Sequence, residues 1–98
     1  MIFRQGDILL KSIKQFPDNL KPKNLILAYG ETTGHCHQFM DSNIVAVYDL
    51  SQQQYVEVFD DAELFHEEHD NLIIPQGKYE VRRQREIDLA NEVRRVVD

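Results

Sequence analysis

The sequence predicts a single, mainly β domain covering residues 1–98: a small antiparallel β-barrel or sandwich that ends in a short C-terminal helical turn. Three observations predict it. Ninety-eight residues suit one hydrophobic core. Apolar side chains make up 42% of the chain, enough to fill a compact interior. They also fall in short runs or strict alternation, separated by turn-forming residues, rather than at helical spacing.

The elements follow in chain order. Asp7 to Ile13 carries Ile8, Leu9, Leu10 and Ile13 without a helix cap, and reads as a strand. Phe16 to Lys23 holds Pro17, Asn19 and Pro22 and is predicted to be a loop. Leu25 to Tyr29 is a short apolar strand bounded by Pro22 and Gly30. His35 to Met40, the turn Asp41-Ser42-Asn43, and Ile44 to Leu50 together predict a hairpin.

A second predicted hairpin joins Ile44–Leu50 to Tyr55–Phe59 through Ser51 to Gln54, with Val56 and Val58 alternating onto one face. Glu63 to His66 and Leu72 to Ile74 are shorter strands, and Pro75-Gln76-Gly77-Lys78 suits a type II turn. Tyr79 to Ile87 resumes as a strand, and Leu89 to Arg94 supplies the terminal helical turn, held by packing because so short a helix is marginal in water. Six to eight strands of this kind favour a barrel, since closure removes exposed edges.

Charge is distributed unevenly. The first 23 residues carry +3, the stretch from Asn24 to Gly77 carries −10 with no Lys or Arg, and the last 21 carry +1, within a net charge of −6. An acidic middle favours cations and repels phosphates. The C-terminal arginines, including Arg82, Arg83 and Arg85, are interleaved with acids, which argues against a nucleic-acid partner and for carboxylate pairing within or between subunits. No apolar run is long enough to span a bilayer as a helix, and Arg4-Gln5-Gly6-Asp7 interrupts any signal-like start. Cys36 is the only cysteine, so no intrachain disulfide forms and a cytoplasmic location is expected.

All four histidines lie in the acidic stretch, in Gly34-His35-Cys36-His37 and His66-Glu67-Glu68-His69. On a strand, His35 and His37 share a face while Cys36 points away, the geometry an H-x-H metal pair needs. Thr32 and Thr33 stand nearby as hydrogen-bond partners able to fix an imidazole tautomer. His66 and His69 come together only if the chain turns at Glu67 and Glu68; otherwise His66 is the partner and His69 sits on a loop. The spacing is not that of the H-E-x-x-H zinc-protease motif.

The metal ligands expected are His35, His37, His66 and His69 on Zn²⁺ or Fe²⁺, with Glu67 or Glu68 as a catalytic base or further ligand. A small-molecule hydrolase or oxygen-chemistry enzyme is one outcome. A metal-independent histidine acid/base site is a second. A non-enzymatic homo-oligomeric interaction module, with its histidines on a solvated face or hydrogen-bonded within the fold, is the third.

Arg4-Gln5-Gly6-Asp7, Gly30 to His37, His66 to His69, Pro75 to Tyr79 and Gln84-Arg85-Glu86 together resemble a family of small uncharacterised prokaryotic and mobile-element proteins with the same motif order. The resemblance implies a shared site at Gly34–His37 and His66–His69 without naming a reaction. His35, His37 and Pro75-Gln76-Gly77 are also similar to fragments of the cupin barrels, although only Asp41 follows His37 where cupins place a glutamate, and no histidine follows Gly77.

Overall fold

The computed structural model describes residues 1–29 and 36–83. They form ten strands and no helix: β1 (Ile2–Gln5), β2 (Ile8–Ile13), β3 (Lys21–Lys23), β4 (Ile26–Tyr29), β5 (Cys36–Phe39), β6 (Val45–Leu50), β7 (Gln53–Val58), β8 (Ala62–His66), β9 (His69–Ile74) and β10 (Gly77–Arg83). The expected helical turn at Leu89 to Arg94 lies outside the described residues. No helix among the described residues is long and apolar enough to cross a membrane.

The mainly β class holds; the closed barrel does not. The described strands form a six-stranded sheet, ordered β1-β2-β10-β7-β6-β3, and a four-stranded sheet, ordered β4-β5-β8-β9. Their pairings are antiparallel. One core is shared between them: Ile8, Leu10, Val45, Val47, Val56, Val58, Tyr79 and Val81 from the larger sheet meet Leu27, Phe39, Ala62, Leu64 and Ile74 from the smaller.

The reason lies in the connections. After each of the hairpins β4–β5, β6–β7 and β8–β9, the chain changes sheet. The predicted hairpin across Asp41-Ser42-Asn43 is therefore a crossing between sheets. Asp41 accepts hydrogen bonds from the Asn43 and Ile44 backbone N–H groups, and the bend delivers Phe39 and Val45 to the same core from opposite sides. Such switching buries both apolar faces without ladder hydrogen bonds closing the sheets onto one another.

Two strands arise where the sequence signalled none. Lys21–Lys23 pairs with β6 despite Pro22, which is tolerated because β3 is an edge strand. Ile2–Gln5 pairs with β2 through the two-residue turn Gly6-Asp7, where Gly6 takes φ +60°. In addition, β9 starts at His69 rather than Leu72, and Gly77 already opens β10, paired with Val58.

Candidate functional site

Strand alternation carries two of the histidines inward. On β8, Ala62, Leu64 and His66 are buried in one row, so His66 extends the core face outward by one step. On β5, His37 shares a face with buried Phe39. Phe39 pairs with Leu64 and Gln38 with Phe65, and the same register continued by one residue sets His37 against His66. Their ring centroids lie 4.3 Å apart, with His37 only 4% and His66 only 7% exposed.

His69 joins this row through a bulge. Between Leu64↔Leu72 and His66↔His69 the register shifts by one residue, which places an extra residue on β9. Without it, His66 would oppose Asp70. The Glu67-Glu68 turn and this bulge together bring the His69 ring to 4.6 Å from His66 and 5.9 Å from His37. A second register shift, between Ile26 and Ala28, lies where β4 meets His37. Three imidazoles thus stand side by side across β5, β8 and β9.

The six-stranded sheet supplies a further wall. Buried Gln5, at the end of β1, donates through Nε2 to the carbonyls of Leu64 (2.8 Å) and Asp70 (2.9 Å). Two carbonyl acceptors fix which way the amide points, so its Oε1 accepts from His37 Nδ1 at 2.8 Å. His37 is therefore held as the Nδ1–H tautomer, and its Nε2 carries the lone pair. That nitrogen lies 3.5 Å from Asp7 Oδ1.

His66 takes the opposite tautomer. The Glu68 backbone N–H can only donate, and at 3.0 Å it donates to His66 Nδ1, leaving the proton on Nε2. Burial, the charge that His66 would carry and, more weakly, that of His69 drive the pKa of His37 from 6.5 down to about 4, against the pull of Asp7. His37 is neutral at neutral pH.

Glu67 reaches back to β5, its Oε1 accepting from the Cys36 N–H at 3.2 Å. It thereby pins the β8–β9 turn beside the row of rings. Burial, and then the Glu67 carboxylate, raise the pKa of the Cys36 thiol, so Cys36 is a neutral packed side chain that also receives a hydrogen bond from Gln38. His35, Thr32 and Thr33 lie outside the described residues. Among the described residues, no group of three or more His, Cys, Asp or Glu side chains is arranged so that it could hold a metal ion.

Sequence reasoning missed Gln5, Gly6 and Asp7 as site residues. The signal was the Arg4-Gln5-Gly6-Asp7 motif, whose polar residues have no role in a strand core. Gly6 is needed twice over: its φ is +60°, and a Cβ there would lie 2.6 Å from His69 Nε2. Gly6→Ala is expected to destabilise the fold by about 1–2 kcal/mol from left-handed backbone strain alone and to push the His69 ring aside. Thermal unfolding and the His69 ring chemical shifts check both effects. Beside His69, a cavity of 460 Å³ opens between the Arg4-Gln5-Gly6 segment and Asp70, Asn71 and Leu72. A smaller cavity of 270 Å³, near Asp49, Gln54 and Arg83, is lined by no histidine.

Residues 4–84 match the family described as Domain of unknown function (DUF8820), and the chain belongs to that family. The matched span takes in every described residue of the histidine row and the Gln5-Gly6-Asp7 turn. No curated protein and no solved structure gives a significant match.

Proposed function

We propose that the histidine row is a divalent-cation site, for Zn²⁺ or Fe²⁺, serving a small-molecule substrate admitted through the cavity beside His69. The observation that carries this reading is the buried Gln5 amide, which takes the Nδ1–H of His37 and so leaves its Nε2 directed away from the protein amide that anchors it. Metal-binding histidines are held in this way, with the second ring nitrogen donating to a carbonyl or carboxylate. Burial keeps His37 neutral, so its Nε2 lone pair is open to a cation.

His37 and His69 are the imidazole ligands proposed from the described residues, with His35, two positions before His37, as a further one. His69 is exposed, with its ring 5.9 Å from that of His37. His66 joins them only by giving up its bond from Glu68; in the orientation seen here its single lone pair is committed, and its Nε2–H is a donor. Glu67 and Glu68, on the turn between β8 and β9, are the residues proposed as a base or a further ligand. When bound, the cation supplies Lewis acidity for hydrolysis or oxygen chemistry. A lone cysteine held as a buried thiol fits a reducing cytoplasmic setting.

The expected result is near-stoichiometric Zn or Fe in protein purified without a histidine tag, measured by elemental analysis. His37→Ala and, at the exposed position, His69→Ala each reduce it to below about a tenth, the scale expected for losing a ligand. A folded wild-type protein that takes up neither metal on reconstitution overturns the reading.

The opposite tautomers of His37 and His66 favour one second reading, a metal-independent acid/base pair in which His37 Nε2 accepts a proton and His66 Nε2–H donates one. Turnover that survives exhaustive chelation supports that reading over the first.

A further inference from the structure

At the open end of the β8–β9 hairpin, away from the histidines, large apolar side chains stand in solvent. Met40 is 67% exposed, Ile73 55% and Phe59 50%. Ile73 pairs with Glu63 across the hairpin, and the Phe59 N–H donates to the carbonyl of Ile44, at the crossing between sheets. Between Met40, Ile44 and Ile73 opens a cavity of 250 Å³, floored by the buried core residues Phe39, Val45 and Ala62. A single exposed apolar side chain is ordinary, but several grouped over a cavity mark an interaction surface.

The rim of this cavity is acidic. Asp41, Asp61 and Glu63 line it, and exposed Asp60 adjoins them. Their side chains accept from neutral donors: the Asn43 N–H on Asp41, the Asp61 N–H on Asp60 and the Asn71 amide on Glu63. Among the described residues, no Lys or Arg forms an ion pair with any of the four.

We infer that this face docks a segment of another protein that presents a large apolar side chain flanked by lysines or arginines. The cavity lies below the about 300–1,000 Å³ usual for small-molecule sites and suits a single anchoring side chain instead. An apolar anchor seated in a pocket inside a polar rim is how compact interfaces concentrate their affinity. Charge selects the partner. A second copy of this chain brings the same net −6 and is repelled at long range, whereas a basic segment is drawn both by the whole molecule and by the rim.

The test is a fluorescence-anisotropy titration of the full chain with three labelled peptides of equal length, alternating Lys with Phe, Lys with Ser, and Glu with Phe. The Lys-Phe peptide is expected to bind tightest and to weaken as salt is raised. Ile73→Ser and, independently, Met40→Ser should each weaken it by about 10-fold or more, as for other buried anchors. Both side chains are exposed, so the variants are expected to fold. The pair Asp61→Asn and Glu63→Gln should weaken it by about 5-fold, whereas Asp18→Asn with Asp70→Asn, exposed acids that do not line the cavity, should do so by less than about 2-fold. If the Lys-Ser peptide binds as tightly, or if both acid pairs weaken binding equally, the attraction belongs to the general charge and the docking site is overturned. Equal binding of the Glu-Phe peptide overturns the basic partner. Sedimentation showing wild type self-associated and Ile73→Ser monomeric would make the occupant a second copy and overturn a foreign one.

Discussion

Replacing Gln5 by Leu is expected to cost about 2–4 kcal/mol, more than the Gly6→Ala change beside it. The substitution keeps the volume roughly constant, so little of the loss comes from packing. It comes from the three groups that Gln5 satisfies, namely the His37 Nδ1–H and the Leu64 and Asp70 carbonyls. Each buried polar group left unmatched costs about 1–3 kcal/mol, and carbonyls that keep a ladder partner fall at the low end. Gln5→Glu separates hydrogen bonding from shape. Its carboxylate can still accept from His37, but its second oxygen faces two carbonyls, so it should be as damaging as Leu at neutral pH. Urea unfolding of the three proteins measures this, and a Gln5→Glu variant as stable as wild type refutes the amide orientation. Long-range proton–nitrogen spectra should show wild-type His37 as the Nδ1–H tautomer and a mixture of tautomers in the Leu variant.

Acid should destabilise the chelator-treated protein through His37. Its pKa is about 4 folded against 6.5 for an ordinary histidine, chiefly because burial penalises the charged ring. Between those values the unfolded chain binds a proton that the folded one refuses, so stability falls as pH drops through this window. Above pH 6.5 neither state is protonated and the contribution is flat; below about 4 both are, and it is flat again. The full span corresponds to about 3 kcal/mol, at 1.36 kcal/mol per pH unit. Unfolding midpoints measured at about pH 7.5 and about pH 4.5, on either side of most of this window, should therefore converge more closely in His37→Gln than in wild type. Equal acid sensitivity in both would mean that His37 is protonated in the native fold. Bound metal should deepen the slope, because protons and cation then compete for the same nitrogen.

Much of the architecture was readable from local pattern. The alternation in Tyr55–Phe59 predicts a strand paired with Ile44–Leu50, and the structure pairs Val45–Leu50 with Gln53–Val58, the turn shrinking from Ser51–Gln54 to Ser51 and Gln52. The pairing of His66 with His69 was readable conditionally, since Glu67 and Glu68 had to turn the chain, and they do. The bulge that completes the alignment was not, because register shifts depend on what each strand packs against rather than on its own residues. Sheet membership was also hidden. Phe39, Asp41 and Val45 look the same in sequence whether the bend between them closes a hairpin or crosses to the other sheet.

The Gln5-Gly6-Asp7 wall was the least legible part. Its residues meet partners 59 and 65 positions away, beyond the reach of any periodicity. A polar residue at the end of a short strand gives no sign of whether it faces solvent or the interior. Only the glycine hinted at a constraint, since a two-residue turn with positive φ demands one.

Because the Gln5 amide ties the first strand to the eighth and ninth, His37 acquires its tautomer only after nearly the whole described chain has docked. Closing a loop of some sixty residues is entropically unfavourable, though weakly dependent on length, and contacts of this range form late in folding. A nascent or partly unfolded molecule therefore carries His37 without its imposed tautomer.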